Sequence, residues 1–155
     1  MRNRIPHCSW VILCLLMFQV GFQTLSGVEV HHAVHMSPHA QPITRLGDHL
    51  FVVNTPADTV DVISVNSRKV MHRIAVGIDP VGLALRPDGK ELWVANHISD
   101  SVSVIDINDK SPTYLHVVGT VQDIDPRTRA TRFDEPVGIA FANDNKAYVA
   151  LSSEN

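Results

Sequence analysis

Arginine and aspartate crowd one stretch of this chain. Arg127, Arg129 and Arg132 fall within residues 122–133, with Asp123, Asp125 and Asp134 among and beside them. Guanidinium groups at this density could hold a carboxylate or phosphate through paired N–H donors. The carboxylates could instead offer hard oxygen ligands to Ca²⁺, although their spacing matches no EF-hand loop and the run lacks that loop's glycine. A solvated loop whose charges answer one another is the plainer reading of the same residues.

Histidine is the other chemically able residue here. His31, His32, His35 and His39 gather in one short stretch, and neutral imidazole is a common metal ligand. His35 and His39 would meet one metal only on a helix, which Pro38 argues against. His31 and His35 share that spacing without the proline. An exposed, histidine-rich leader is the simpler expectation. His97 stands apart, directly after Asn96. No Gly-x-Ser-x-Gly elbow, phosphate loop or His-Glu-x-x-His helix occurs, so no catalytic constellation is expected.

The elements that would carry these residues show as a repeat. Residues 50–65 read LFVVNTPADTVDVISV and residues 92–107 read LWVANHISDSVSVIDI, a gap-free offset of 42. A truncated copy begins at Ala147 as AYVALSSEN. Residues 80–85, PVGLAL, recur at 136–141 as PVGIAF, and a worn copy starts at Pro38 with Gln41 and Pro42 at strand positions. Proline fixes φ at each entry and leaves no N–H unpaired. Asp88-Gly89 suits the positive φ of a tight hairpin between 83–86 and 91–96. Residues 101–107 alternate and then turn apolar, as a strand covered on both faces would. Repeats of about 40–45 residues with strand content predict β-propeller blades, each of four antiparallel strands. Asp58 and Asp100 occupy matched positions, which suggests blade construction, with each side chain capping a turn.

The string VGIDPVGLALRPDGKELWVANHISDSVSVIDI at 76–107 closely resembles the YVTN-type β-propeller repeat. The position of that family's Tyr-Val-Thr-Asn is filled by Trp93-Val94-Ala95-Asn96, by Phe51-Val52-Val53-Asn54 in the blade before, and by Tyr148-Val149-Ala150-Leu151 in the blade after. The resemblance implies an all-β propeller across 38–155, about three blades with the last truncated. It also implies that a c-type haem domain can be joined to such a propeller. A ring needs at least four blades, so the chain reads as the N-terminal portion of a longer protein. A partner chain supplying the missing blades is the alternative.

Residues 1–26 read as a secretory signal peptide. Arg2 and Arg4 precede the apolar run 11–18, and Thr24, Ser26 and Gly27 are small residues suited to cleavage. The run is too short for a stable membrane anchor. Residues 27–37 form the His-rich leader. An exported, periplasmic or extracellular protein is therefore expected. Both cysteines, Cys8 and Cys14, lie in the removed segment, so the mature stretch would carry no disulfide and no Cys-x-x-Cys-His haem attachment. The formal net charge of −3 becomes more negative once Arg2 and Arg4 are lost, which disfavours nucleic acid as a partner.

Blade strands alternate in direction, so the loop between the second and third strands shares a face with the connection to the next blade. That topology predicts one working face holding Asn54, Asn96, His97, Asp100, Arg127, Arg129 and Arg132. The connection from Ile107 to Pro136 is fourteen residues longer than that from Val65 to Pro80, with the extra residues expected mostly at 122–133. The expected function is a non-catalytic binding or scaffold module whose partner is a protein, its own downstream domain or a small anionic ligand. The alternative is the propeller portion of a periplasmic redox enzyme, with haem in a downstream domain.

Overall fold

The computed structural model describes residues 39–152; the signal peptide and the His-rich leader lie outside them. Ten strands form three antiparallel sheets. The first sheet runs β1 (Ile43–Leu46), β2 (His49–Asn54), β3 (Thr59–Ser64) and β4 (Lys69–Ala75), paired in that order. The second runs β5 (Pro80–Leu85), β6 (Glu91–Asn96), β7 (Ser101–Asp106) and β8 (Val117–Val121), again in sequence order. The third holds β9 (Pro136–Asn143) and β10 (Lys146–Leu151). The sole helical turn among the described residues is a 3₁₀ turn at Thr55–Ala57. These are blades of a β-propeller whose ring is not closed.

The repeat of 42 is reproduced strand by strand. Leu50 pairs with Ile63 and Asn54 with Thr59; Leu92 pairs with Ile105 and Asn96 with Ser101. The third strand of both blades shifts register at the same place, between Val62 and Ile63 and between Val104 and Ile105. The Pro87-Asp88-Gly89-Lys90 hairpin forms where its residues require it. Gly89 sits at φ +70°, its N–H donates to Arg86 O at 2.9 Å, and Asp88 Oδ1 accepts the Lys90 N–H at 3.0 Å.

Strand periodicity sorts the second blade's side chains onto two cores. Leu92, Val94 and Ile105 join Phe51, Val53, Val60, Val62 and Ile74 between the first two sheets. Ala95 and Val102 join Val81 and Ile139 between the second and third, with Trp93 and Phe141 edge to face at 5.2 Å. A strand buried on both faces needs apolar residues at both parities, which is why 101–107 loses its alternation.

The innermost entries crowd together. A Cβ on Gly82 would stand 2.7 Å from Ala40 O and 2.9 Å from Val137 O, so only glycine fits between those two backbones. Leu83 N–H donates to Gln41 O at 3.1 Å, joining the first blade's entry to the second's. The worn copy at Pro38 has a structural counterpart: regular pairing in β1 starts only at Ile43, whereas β5 pairs from its first proline.

Candidate functional site

The loops between second and third strands and the connections between blades share one face and are bonded to each other. Asp58 Oδ1 accepts the Asp79 N–H at 2.9 Å, and Asp100 Oδ1 accepts the Glu135 N–H at 3.0 Å. All four residues have positive φ, between 48° and 59°. The matched aspartates thus build the blade, as expected. Their carboxylates, however, cap the entry to the next blade and not their own turns. The carbonyls of Asp79 and Glu135 complete the junction by accepting the N–H groups of His97 and Ser152 at 2.9 and 3.0 Å.

Asn54 and Asn96 hold their loops from below. Asn54 Nδ2 lies 3.5 Å from Asp61 Oδ2, and Asp61 also takes the Thr59 hydroxyl at 3.2 Å. In the second blade serines replace both partners. The fully buried Asn96 donates from Nδ2 to Ser101 and Ser103 Oγ at 3.1 and 3.0 Å, while its Oδ1 has no partner. Gly77 passes so close that a Cβ there would come within 2.6 Å of the Asn96 amide. Beside it a slot of ≈ 300 Å³ is lined by Gly77, Ser99, Ser101, Ser103, Thr120 and Gln122.

His97 is only 8% exposed, and its Nδ1 is buried without a partner. It is therefore more enclosed than a loop histidine on an open face. Arg127, Arg129 and Arg132 are exposed, and no ion pair or side-chain hydrogen bond engages any of them among the described residues. Their loop is nevertheless ordered by its own backbone. Ile124 and Thr131 form a bridge, Asp125 N–H donates to Ala130 O at 2.9 Å, and Arg132 N–H donates to Asp123 O at 3.0 Å. Asp125 Oδ1 accepts the N–H groups of Arg127 and Thr128 at 2.7 and 3.2 Å, which commits that carboxylate to the turn. Phe133 packs against the core between the second and third sheets and anchors the loop's far end. Gln122 Nε2 reaches Ser99 O at 3.4 Å, tying the near end to the adjacent loop.

The extra length of the second blade is divided between both faces. The connection to the next blade lengthens from 76–79 to 122–135, and the link between third and fourth strands lengthens from 65–68 to 107–116. The second lengthening lies on the opposite face and was not anticipated from the sequence. It is folded by Asp106, whose carboxylate takes the Thr113 hydroxyl at 2.6 Å and the Asn108 N–H at 2.9 Å. Hydrogen bonds from Ser111 and Thr113 hold its carboxyl below the ordinary carboxylate value. Leu115, at φ +60°, turns its side chain into the core between the first two sheets. The pattern Val117-Val118-Gly119-Thr120-Val121, strand-like and midway between Ile107 and Pro136, is the signal that would have divided the insertion.

No group of three or more His, Cys, Asp or Glu among the described residues is arranged to hold a metal. His31, His32 and His35 lie outside the described residues; His39, just after the leader, shares a 3.0 Å hydrogen bond with the Thr55 hydroxyl through Nε2. No helix among the described residues is long and apolar enough to cross a membrane.

Blades of four antiparallel strands, joined edge to axis in sequence order, define a β-propeller. The model of the YNCE-like beta-propeller family matches residues 28–149, and the chain belongs to that family. Among solved structures the chain is similar to hydrazine synthase of Kuenenia stuttgartiensis, at 32% identity and TM-score 0.57 over 79% of this chain and 32% of that one. A protein of unknown function from Desulfotomaculum acetoxidans gives 19% identity and 0.53 over 76% of this chain and 34% of that one. The dihydro-heme d1 dehydrogenase NirN, in complex with DHE, gives 19% and 0.53 over 77% and 23%. The last two establish fold alone. This chain spans about a third or less of the length of these structures. No curated protein matches it.

Proposed function

We propose that this chain is the N-terminal portion of an exported, non-catalytic β-propeller that binds an acidic partner, a protein or its own downstream domain, through the face bearing the 122–135 connection. The carrying observation is the trio Arg127, Arg129 and Arg132. Three cations stand exposed and unpaired on a loop whose backbone is already ordered. Preordering lowers the entropy cost of engaging a carboxylate or phosphate. The test is replacement of all three by alanine in the full-length protein. Binding to the partner recovered with it should weaken and lose salt dependence, while stability changes by less than about 0.5 kcal/mol, as for surface substitutions elsewhere. Equal loss from Asp88 or Lys90 substitutions would move the site to the opposite face.

A second reading rests on the 32% identity to a chain of hydrazine synthase. Here the propeller belongs to a periplasmic redox enzyme whose haem domain lies downstream. The described residues contain no cysteine, so haem would attach elsewhere. A haem absorption spectrum of the full-length protein, purified from its own host, decides between the two.

A further inference from the structure

The slot of ≈ 300 Å³ between the first two blades is lined with hydroxyls. Ser101 and Ser103, each 2% exposed, lie at its floor, half-buried Ser99 beside them, and exposed Thr120 and Gln122 at its rim. We propose that this slot binds a neutral polyhydroxyl molecule about the size of one sugar ring. The site is separate from the arginine trio and from the partner assigned to it.

The second blade carries no charge at this place, whereas the first does. There the cross-strand positions are Asp61 and Arg73, whose side chains meet at 3.6 Å. The same register in the second blade pairs Ser103 with Thr120. Ser99 adds a hydroxyl where the first blade, at the offset of 42, has Ala57. A long guanidinium and its carboxylate are thus exchanged for short hydroxyls, which opens space and leaves it uncharged. No Asp, Glu, Lys or Arg among the described residues lines the slot. An ionic ligand would give up its hydration there without a countercharge. A neutral ligand escapes that cost.

The hydroxyls keep protons to spare. Asn96 Nδ2 donates to Ser101 and Ser103 Oγ at 3.1 and 3.0 Å, so neither serine can direct its own proton at that nitrogen. Ser99 Oγ accepts the Ile78 N–H at 3.0 Å and shares one bond with Ser101 Oγ, also at 3.0 Å. A single proton serves the shared bond, so the pair keeps one unused whichever serine donates. The protons of Ser103 and Thr120 have no acceptor among the described residues. Each spare donor sits on an oxygen that can also accept, which is the two-way chemistry of a sugar hydroxyl. Ala75, Val76 and Val117 supply aliphatic surface for the C–H face of a ring. A volume of ≈ 300 Å³, at the small end for ligand sites, suits one ring and not a chain of them.

Both blades would grip the ring. Its walls come from 75–77 of the first and from 99–103 and 120–122 of the second. Binding to the folded state alone would then raise thermal stability.

The test is calorimetric titration of the full-length protein with glucose, galactose, mannose and N-acetylglucosamine. At least one should bind at a single saturable site and raise the melting temperature. Its affinity should be indifferent to salt, as an uncharged site requires, and neither acetate nor inorganic phosphate should displace it. Ser103→Asp combined with Thr120→Arg, which installs the pair that the first blade already accommodates, should remove the saturable binding. Thr120→Val, at an exposed position, should weaken it by about three- to tenfold, the worth of one hydrogen bond. Failure of all four sugars to bind at a saturable site means that the slot holds water only, and overturns the proposal. Displacement by either anion, or affinity unchanged by the double substitution or by Thr120→Val, overturns it as well, because the sugar would then be held elsewhere.

Discussion

Asp100 Oδ1 accepts the backbone N–H of Glu135 across 35 residues of sequence, at 3.0 Å. Asp58 does the same for Asp79 at 2.9 Å, one blade earlier. Each bond pins the loop of one blade to the residue that precedes the next blade's entry proline, in a left-handed conformation that ordinary side chains rarely adopt. Removing the acceptor should cost about 1 kcal/mol, the net contribution of one such hydrogen bond. In urea unfolding of the full-length protein, Asp100→Ala and Asp58→Ala should each show this loss, and Asp100→Asn should recover most of it. An unchanged midpoint in both alanine variants would show that the strained turns hold without the carboxylate.

Glycine tolerance should divide according to what stands opposite. Gly82→Ala places a Cβ against two backbone oxygens that cannot rotate away, and should destabilise by about 1–3 kcal/mol, the usual range for overpacking. Gly119→Ala meets only Val104 Cβ at 3.9 Å, an ordinary contact, and should be neutral or mildly stabilising in the same strand-rich setting. Melting of the two variants side by side checks the difference.

Acid should loosen the face that carries the hairpin turns. The Ser64 hydroxyl and the Asn66 N–H hold the Asp48 carboxyl below its ordinary value, and the hydroxyls of Ser111 and Thr113 do so for Asp106. A folded-state value below the unfolded one means that both groups contribute stability above the unfolded carboxylate value, near 4. That contribution falls away as pH drops through the folded values. Asp48→Asn and Asp106→Asn should therefore be less stable than the parent at pH 6 and converge with it below pH 3. Urea midpoints across pH 2.5–7 give the comparison.

Export predicts a new N-terminus. Edman sequencing of secreted material should begin near Val28, leaving a chain without cysteine. Recovery of Arg2 and Arg4 on soluble cytoplasmic protein would rule the signal peptide out.

The blades were legible because Leu50–Ile63 and Leu92–Ile105 obey the same pairing without a gap. A repeat carries register as well as strand identity. The adjacency of the second-to-third-strand loops and the inter-blade connections was legible for a related reason: alternating strand direction fixes which loops neighbour one another. What escaped was the lengthened 107–116 link. The repeat supplies anchors only at Ile107 and Pro136, and nothing in the polar run from Asn108 to Thr113 announces a return to strand. The enclosure of His97 could not be read either, because burial of a loop residue is decided by the neighbouring blade.

The aspartate junction also bears on how such a chain can grow. Acceptor and donor sit on opposite sides of a blade boundary, and both recur with the repeat. Copying one whole unit therefore regenerates a finished joint at each new border, with no compensating change elsewhere. Copying from mid-blade to mid-blade does so as well, but a duplication of any other length leaves one aspartate facing solvent and one strained turn uncapped. Because the bond needs only its two ends in place, the chain between them can lengthen without breaking the joint, as 122–135 does where the preceding blade has only 76–79.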